Sequence, residues 1–339
     1  MGKLLRLAVA GSGKTTSVID NLNLDKNFLV LTYTENNYQN LRCKIFQRFG
    51  FLPENIKVFT YFSFLYSFCF QPFLKMQLHV NGITFERCNN YYAKGNARYI
   101  DRNDRVFSNR LAKLIKEKNA IGHVADRLQK YFDMIIIDEI QDFAGHDFNF
   151  LPTLVSSTNH VLFVGDFYQH TFDTSSDGAV NKNLHSDLNS YIARFEKMGL
   201  TIDQQTLDSS YRCSPSVCKF ITDRIGIGIS SHRDDSTTIE LLDSDSEIKS
   251  LLHNDNIIKL FYRKHHNYPY YSNNWGNSKG LDHYFDVGVV LNNSTFKHFS
   301  NNTLSVLKPQ TKNKLYVAIT RAKGRVFFIE EKALKEILS

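Results

Sequence analysis

The chain is poor in the residues that build covalent or membrane scaffolds. Five cysteines, at 43, 69, 88, 213 and 218, are spread over 339 residues. Their number is odd and no CxxC pair occurs, which argues against a disulfide framework or a zinc site and for reduced thiols. No apolar run reaches the length of a membrane span; IIKLFY and VGVVL are strand-sized. The opening MGKLLRLAVAGSGKTT passes from a short apolar strand into a glycine loop and shows no signal peptide. Arg6 stands where a myristoylation motif carries Ser or Thr. There is one tryptophan, Trp275, and there are no internal repeats or low-complexity tracts. These absences point to a cytoplasmic protein.

What is present is ordinary for a globular chain: 42% hydrophobic and 22% charged residues. The length suffices for two domains with their own cores. A net charge of +7 leaves a polyanionic partner open without requiring one. The distribution of charge says more. Arg87, Lys94, Arg98, Arg102, Arg105, Arg110, Lys113, Lys116 and Lys118 are interleaved with Tyr91, Tyr92 and Tyr99. Cations for phosphates beside rings for bases suit a nucleic-acid surface. A solvated helical face is the plain alternative.

Apolar, β-branched runs alternate with helical stretches. LLRLAVA, NFLVLTYT (27–34), IKVFTYFSFL (56–65), FDMIIIDEI (132–140) and HVLFVGDF (160–167) read as strands or contain them. In the second half TIELLD (238–243), IIKLFYR (257–263), FDVGVVLN (285–292) and GRVFFIEE (324–331) do the same. SEIKSLL (246–252) and NKLYVAITRAK (313–323) read as helices, and 266–278 as a polar, aromatic loop. Continuous runs of this kind predict α/β architecture with parallel sheets covered on both faces. A domain boundary is expected near residue 200, giving domains 1–200 and 201–339, with a small basic insertion at about 72–120 in the first.

Two motifs carry chemistry. Ala10, Gly11, Ser12, Gly13, Lys14, Thr15 and Thr16 form a phosphate loop. Its glycines let backbone N–H groups face the β-phosphate, Lys14 reaches the β/γ oxygens, and the Thr15 hydroxyl binds Mg²⁺. Ala8 replaces the first glycine of the full pattern. Asp138 and Glu139 follow three isoleucines, at the tip of a buried strand, where ligands bind in open α/β sheets. Asp138 is expected to hold Mg²⁺ through water, and Glu139 to orient and deprotonate the attacking water. The cofactors implied are ATP and Mg²⁺.

AGSGKTT, LTYTENNYQNLR, DEIQD, VGDFYQ, YRCSP, SKGLD and YVAITRAK occur in this order, from about residue 5 to about 330. The series resembles the motifs of superfamily 1 helicases, closest to the UvrD/Rep/PcrA group. The resemblance implies two RecA-like P-loop NTPase domains with the ATP site in the cleft between them. It implies that Gln169 senses the γ-phosphate, Tyr211 stacks on adenine, Arg212 contacts the γ-phosphate and Arg321 is the arginine finger. Asp282 stands where the family usually has Glu near the ribose. Thr32, Tyr33 and Thr34 match a strand-contacting segment, with Tyr33 stacking on a base, and Thr60 and Ser63 match a phosphate-contacting one. After Gln169 the family's Tyr and its Trp-Arg-Gly turn give way to HTFDTSSDG. Phe172 is the candidate replacement for the Tyr, and Trp275 is either a substitute for the Trp or a packed ring. No glutamine motif precedes the phosphate loop, so adenine selectivity stays open. The spacing leaves no room for the large second insertion of typical relatives, which describes a compact form.

The function expected is an ATP-dependent single-stranded-DNA translocase and helicase, 3′ to 5′ like its nearest relatives, in replication, repair or recombination. Its partner would be single-stranded DNA or DNA with a single-stranded tail, with a protein loading partner open and no membrane. Two alternatives are an ATP-gated switch or complex subunit that unwinds nothing alone, and an RNA helicase. The Asn-, Lys-, Ile- and Phe-rich composition fits an AT-rich genome and a bacterial or phage-infected cell.

Overall fold

The computed structural model describes residues 2–86, 88, 92–171 and 180–338. Arg87, Tyr91 and Phe172, singled out above, lie outside the described residues. The chain divides into two compact units. One comprises Met1–Arg6, Thr15–Gly165 and Asp173–Asp203; the other comprises Leu7–Lys14, Asp166–Phe172 and Gln204–Ser339. Among the described residues no helix is long and apolar enough to cross a membrane.

The first sheet is built from β1 (Lys3–Ala8), β2 (Phe28–Thr32) and β3 (Ile56–Thr60) with three later strands. Between them in sequence lie β4 (Gly82–Thr84) and β5 (Arg105–Phe107), a separate parallel pair inside the basic stretch. The later strands are β6 (Met134–Asp138), β7 (His160–Gly165) and β8 (Thr201–Leu207). The order is β3-β2-β6-β7-β1-β8, and the division between units falls within β1 and within β8. The pairings of β2 with β3 and β6, and of β6 with β7, are parallel. Every residue of β2 and β6 is buried, as strands with helices on both faces must be. β7 ends on Gly165, a position where nothing larger fits. A Cβ there would lie 2.7 Å from Ile140 Cγ2 and would collide with the Gln141 side chain.

The second unit opens with a two-stranded parallel pair, β9 (Ser209–Ser210) and β10 (Ser230–Ser231). Its main sheet comprises β11 (Ile239–Leu242), β12 (Ile258–Phe261), β13 (Ser272–Asn274), β14 (Val287–Leu291) and β15 (Val326–Glu330). The order is β11-β15-β14-β12-β13, with every pairing parallel. Alternation along each strand supplies two cores. Ile258, Leu260, Val287, Val289, Val326 and Phe328 pack with Leu315, Tyr316 and Ile319 of the helix Pro309–Ile319. Phe261, Val290, Phe327 and Ile329 pack with Ile248, Leu252 and Leu334. Trp275 belongs to the first of these cores, fully buried, its Nε1–H donating to the Leu260 carbonyl at 2.9 Å. It is a packed ring. The stretch read as a loop at 266–278 contributes the edge strand β13.

Candidate nucleotide site

The end of β1 runs into the glycine loop, which belongs to the second unit. Gly11 and Gly13 have φ of 73° and 86°, left-handed values that only glycine adopts without strain. A Cβ on Gly11 would lie 2.7 Å from both Arg212 Cβ and Ser210 Oγ. The loop is tied down from several sides. Tyr211 donates its backbone N–H to the Gly11 carbonyl at 2.9 Å. The Ser12 hydroxyl donates to the Val9 carbonyl at 2.9 Å. Ala10 donates its N–H to the Tyr316 hydroxyl at 2.8 Å, which in turn donates to Asp166 Oδ2 at 3.1 Å. The YVAITRAK helix is thus tied to the phosphate loop by one phenol. Lys14 is nearly buried at the loop's end. Gln169 is buried in the 3₁₀ turn Phe167–Gln169, which Asp166 caps by accepting from the Tyr168 N–H at 3.0 Å.

Two arginines share one carboxylate. Asp282 Oδ1 accepts from Arg212 Nη2 at 2.7 Å and from Arg321 Nη1 at 3.1 Å. Arg321 is 2% exposed and its Nε also donates to the Val317 carbonyl at 3.2 Å. Arg212 donates to the Thr320 carbonyl at 3.2 Å. Burial, with Arg212 beside it, pulls the Arg321 guanidinium down to about 10, against the pull of Asp282; it remains a cation at neutral pH. The family resemblance puts Asp282 near a ribose. Here its carboxylate is taken up by the two guanidinium groups. Gly11, Tyr211, Arg212 and Asp282 line a cavity of about 440 Å³ together with Lys323, the last residue of YVAITRAK, and with Arg233 and Phe285, two residues that no motif flagged.

The first unit holds the magnesium candidates. Thr15 Oγ1 donates to Asp138 Oδ2 at 3.3 Å, and Thr16 next to it is exposed. Asp138 closes β6 and is 2% exposed, and Glu139 donates its backbone N–H to Asp138 Oδ1 at 3.0 Å. Glu139 itself is left-handed, with φ 60° and ψ 48°, at the start of the turn Ile140–Asp142. Gln141 Nε2 donates to Glu139 Oε2. The chain's donor sets fit the groups implied. The glycine cradle is one that a Cβ would fill, and an alcohol beside a carboxylate is an oxygen pair of the kind Mg²⁺ takes.

The candidate nucleic-acid residues lie in the first unit too. Thr34 caps the helix Glu35–Phe49, accepting from the Asn37 N–H at 3.3 Å. Thr60 accepts from the Ser63 N–H at 3.4 Å and donates to Ser63 Oγ at 2.8 Å, leaving Ser63 exposed. Thr32 is fully buried in β2, so its side chain serves the core. Tyr33 sits in an aromatic cluster, its ring 6.1 Å from Tyr61, 5.2 Å from Phe62 and 5.9 Å from Phe143. Phe85, edge-on to Phe62 at 5.7 Å and 69% exposed, offers the open ring of this neighbourhood. Nothing separates it from the other 26 phenylalanines in the sequence.

The basic run is only partly a surface. Arg105 pairs with Asp101 at 2.8 Å, Arg110 is buried and donates to the Arg98 carbonyl at 2.6 Å, and Tyr99 is buried. Tyr92 is 91% exposed.

Beneath the Tyr33 cluster lies Asp147, fully buried. Burial pushes its carboxyl well up, and the Tyr33 and Tyr61 hydroxyls only partly offset this. A carboxyl with a raised folded pKa favours the fold fully below its unfolded value of about 4. That contribution is lost as pH rises through the folded pKa. Asp147→Asn therefore melts above the parent chain at pH 8, by about 2–4 °C per kcal/mol recovered, and the gap closes toward pH 4. Melting scans across that range check it; a gap independent of pH, or a variant less stable at pH 8, would contradict it.

The fold is α/β, with parallel sheets of the RecA-like kind found in superfamily 1 helicases. Residues 84–191 match the family model for the UvrD/REP helicase N-terminal domain. No curated protein matches the chain by sequence. Among solved structures it is similar to the arterivirus nonstructural protein 10 (helicase) in complex with DNA, at TM-score 0.52 and 12% identity over 98% of this chain and 63% of that one. The arterivirus protein without DNA gives TM-score 0.52 and 12% identity, over 98% of this chain and 61% of that one. The chain thus spans less than two thirds of the length of these neighbours.

Proposed function

We propose that the protein is an ATP-dependent single-stranded-DNA translocase and helicase, running 3′ to 5′ and serving replication, repair or recombination. The observation that carries this reading is the pair Arg212 and Arg321 gathered on Asp282 beside a glycine cradle. Guanidinium groups held at one point suit a developing phosphoryl charge. Asp282 keeps them together and offsets part of their charge until a triphosphate takes their hydrogen bonds.

In this reading Gly11, Ser12 and Gly13 wrap the phosphates and Lys14 adds its charge. Thr15 and Asp138 hold Mg²⁺, which supplies charge neutralisation to the phosphates. Glu139 orients the attacking water and accepts its proton. Gln169, in the turn that Asp166 caps, reports the γ-phosphate. Tyr211 stacks on the base. The nucleic acid runs past Tyr33, Thr34, Thr60 and Ser63, where stacking and phosphate contacts tolerate any sequence. The DNA bound to the similar arterivirus helicase supports the choice of a nucleic acid.

ATP hydrolysis with and without single-stranded DNA, with an RNA oligomer in parallel, tests the reading. We expect DNA to stimulate turnover at least about tenfold, with the effect weakening as salt rises. Stimulation by RNA alone would move the assignment to an RNA helicase. ATP binding without stimulation by either polymer would leave a nucleotide-gated switch.

A further inference from the structure

The short pair β9–β10 sets up a contact between a motif residue and one that lies outside every motif. Its register places Ser230 beside Ser209 and Ser231 beside Ser210. Carried one residue further, the same register places His232 beside Tyr211, and the His232 N–H indeed donates to the Ser210 carbonyl at 2.9 Å. Laterally paired residues leave one face of a sheet together, so the two rings must meet. They do, face to face: centroids 4.0 Å apart and planes inclined by 16°. One residue on, Arg233 donates to the Arg212 carbonyl and, at 2.6 Å, to the Lys323 carbonyl. The segment Ser230–Arg233 therefore splints Tyr211 and Arg212 along their length.

Tyr211 needs such a splint. Its backbone is fixed by the Gly11 carbonyl at 2.9 Å, but the residue is 65% exposed on the wall of the 440 Å³ cavity. An exposed tyrosine samples several rotamers, and a base that stacks on it must first stop that motion. His232, stacked at 4.0 Å, restricts that motion and covers one of the ring's two faces.

We infer that His232 is a positioning residue for nucleotide binding: stacked on one face of Tyr211, it holds the opposite face ready for the base of a nucleoside triphosphate. The inference rests on the nucleotide reading of this cavity. Arg233 is the companion splint for Arg212.

Steady-state ATPase kinetics on the full chain, with DNA saturating, test it. An aromatic pair is worth about 0.5–1.5 kcal/mol, so His232→Ala should raise KM for ATP about two- to tenfold with kcat little changed. His232→Phe, which keeps the stack, should restore KM. Because His232 acts through Tyr211, adding His232→Ala to Tyr211→Ala should produce no further rise. Failure of His232→Ala to move KM while Tyr211→Ala raises it overturns the role of His232 alone. So does an undiminished effect in the double variant, or a failure of Phe to rescue. If Tyr211→Ala itself leaves KM unchanged, the nucleotide reading of the cavity falls and this inference with it.

Discussion

Glu139→Gln leaves ATP bound and all but unhydrolysed. The substitution keeps length and shape, and glutamine can still meet Gln141 through its amide. What it cannot do is accept a proton. Removing a positioned general base costs about 10²–10⁴-fold in rate, while nucleotide binding draws on other residues. Glu139 is well placed for the task, since β6 ends at Asp138 and the left-handed turn at 139 lets the two carboxylates serve different ends. Asp138 turns to Thr15 and to a backbone N–H. Glu139 is held by Gln141 on one oxygen. Turnover assays alongside titration with a fluorescent ATP analogue read the two effects separately. Turnover within tenfold of the parent, in a preparation free of contaminating ATPase, would remove Glu139 from the mechanism.

Arg321→Ala has the second large effect, a fall in hydrolysis of about 10³–10⁵-fold, the range of an arginine finger. Its guanidinium arrives with its geometry set: Nε is committed to Val317, one Nη to Asp282, and the side chain is 2% exposed. Such preorganisation places charge without reorganisation at the moment of reaction. Because the side chain is buried, a fall in rate could also come from a damaged fold, and Arg321→Lys separates the two. Lysine retains the cation but loses the planar fork, so it should fold as the parent does and still turn over at least about tenfold more slowly. Arg212, 2.7 Å from Asp282 in the parent, is untouched by either substitution, so ATP binding should change little. Wild-type turnover in Arg321→Lys, or loss of ATP binding in step with rate, would argue against a finger.

The parts of the fold that can be read from sequence are those where burial and composition coincide. FLVLT, MIIID and VGVVL are strands buried on both faces, and a continuous apolar run is what that environment demands. β8, with the sequence TIDQQTL, is largely exposed, and its polar composition hides it. β13 is three residues, Ser-Asn-Asn, paired to β12 by backbone alone, and no side-chain pattern could mark it. The helix expected over 313–323 begins earlier, at Pro309, and stops at Ile319, so that Arg321 falls just beyond its end.

Around the site the same divide holds. The strand–loop–helix from Lys3 to Asp20 is legible because glycines at 11 and 13 have no other economical use. That Asp282 would meet both arginines is not, since the three residues are far apart in sequence and nothing local records their meeting. His232 is hidden for a similar reason, because strand register is a property of the pair and cannot be seen in either strand alone. Nothing in the sequence around Asp147 marks it as a buried acid.

One detail of the site sets a limit on any effort to make this chain sturdier. Glu139 is a residue with a Cβ in a conformation that costs a non-glycine residue about 1–3 kcal/mol. Glycine would sit there at ease and would also remove the carboxylate. On the role proposed for Glu139, heat resistance and turnover pull in opposite directions at this position, and screening for the former alone would select against the latter.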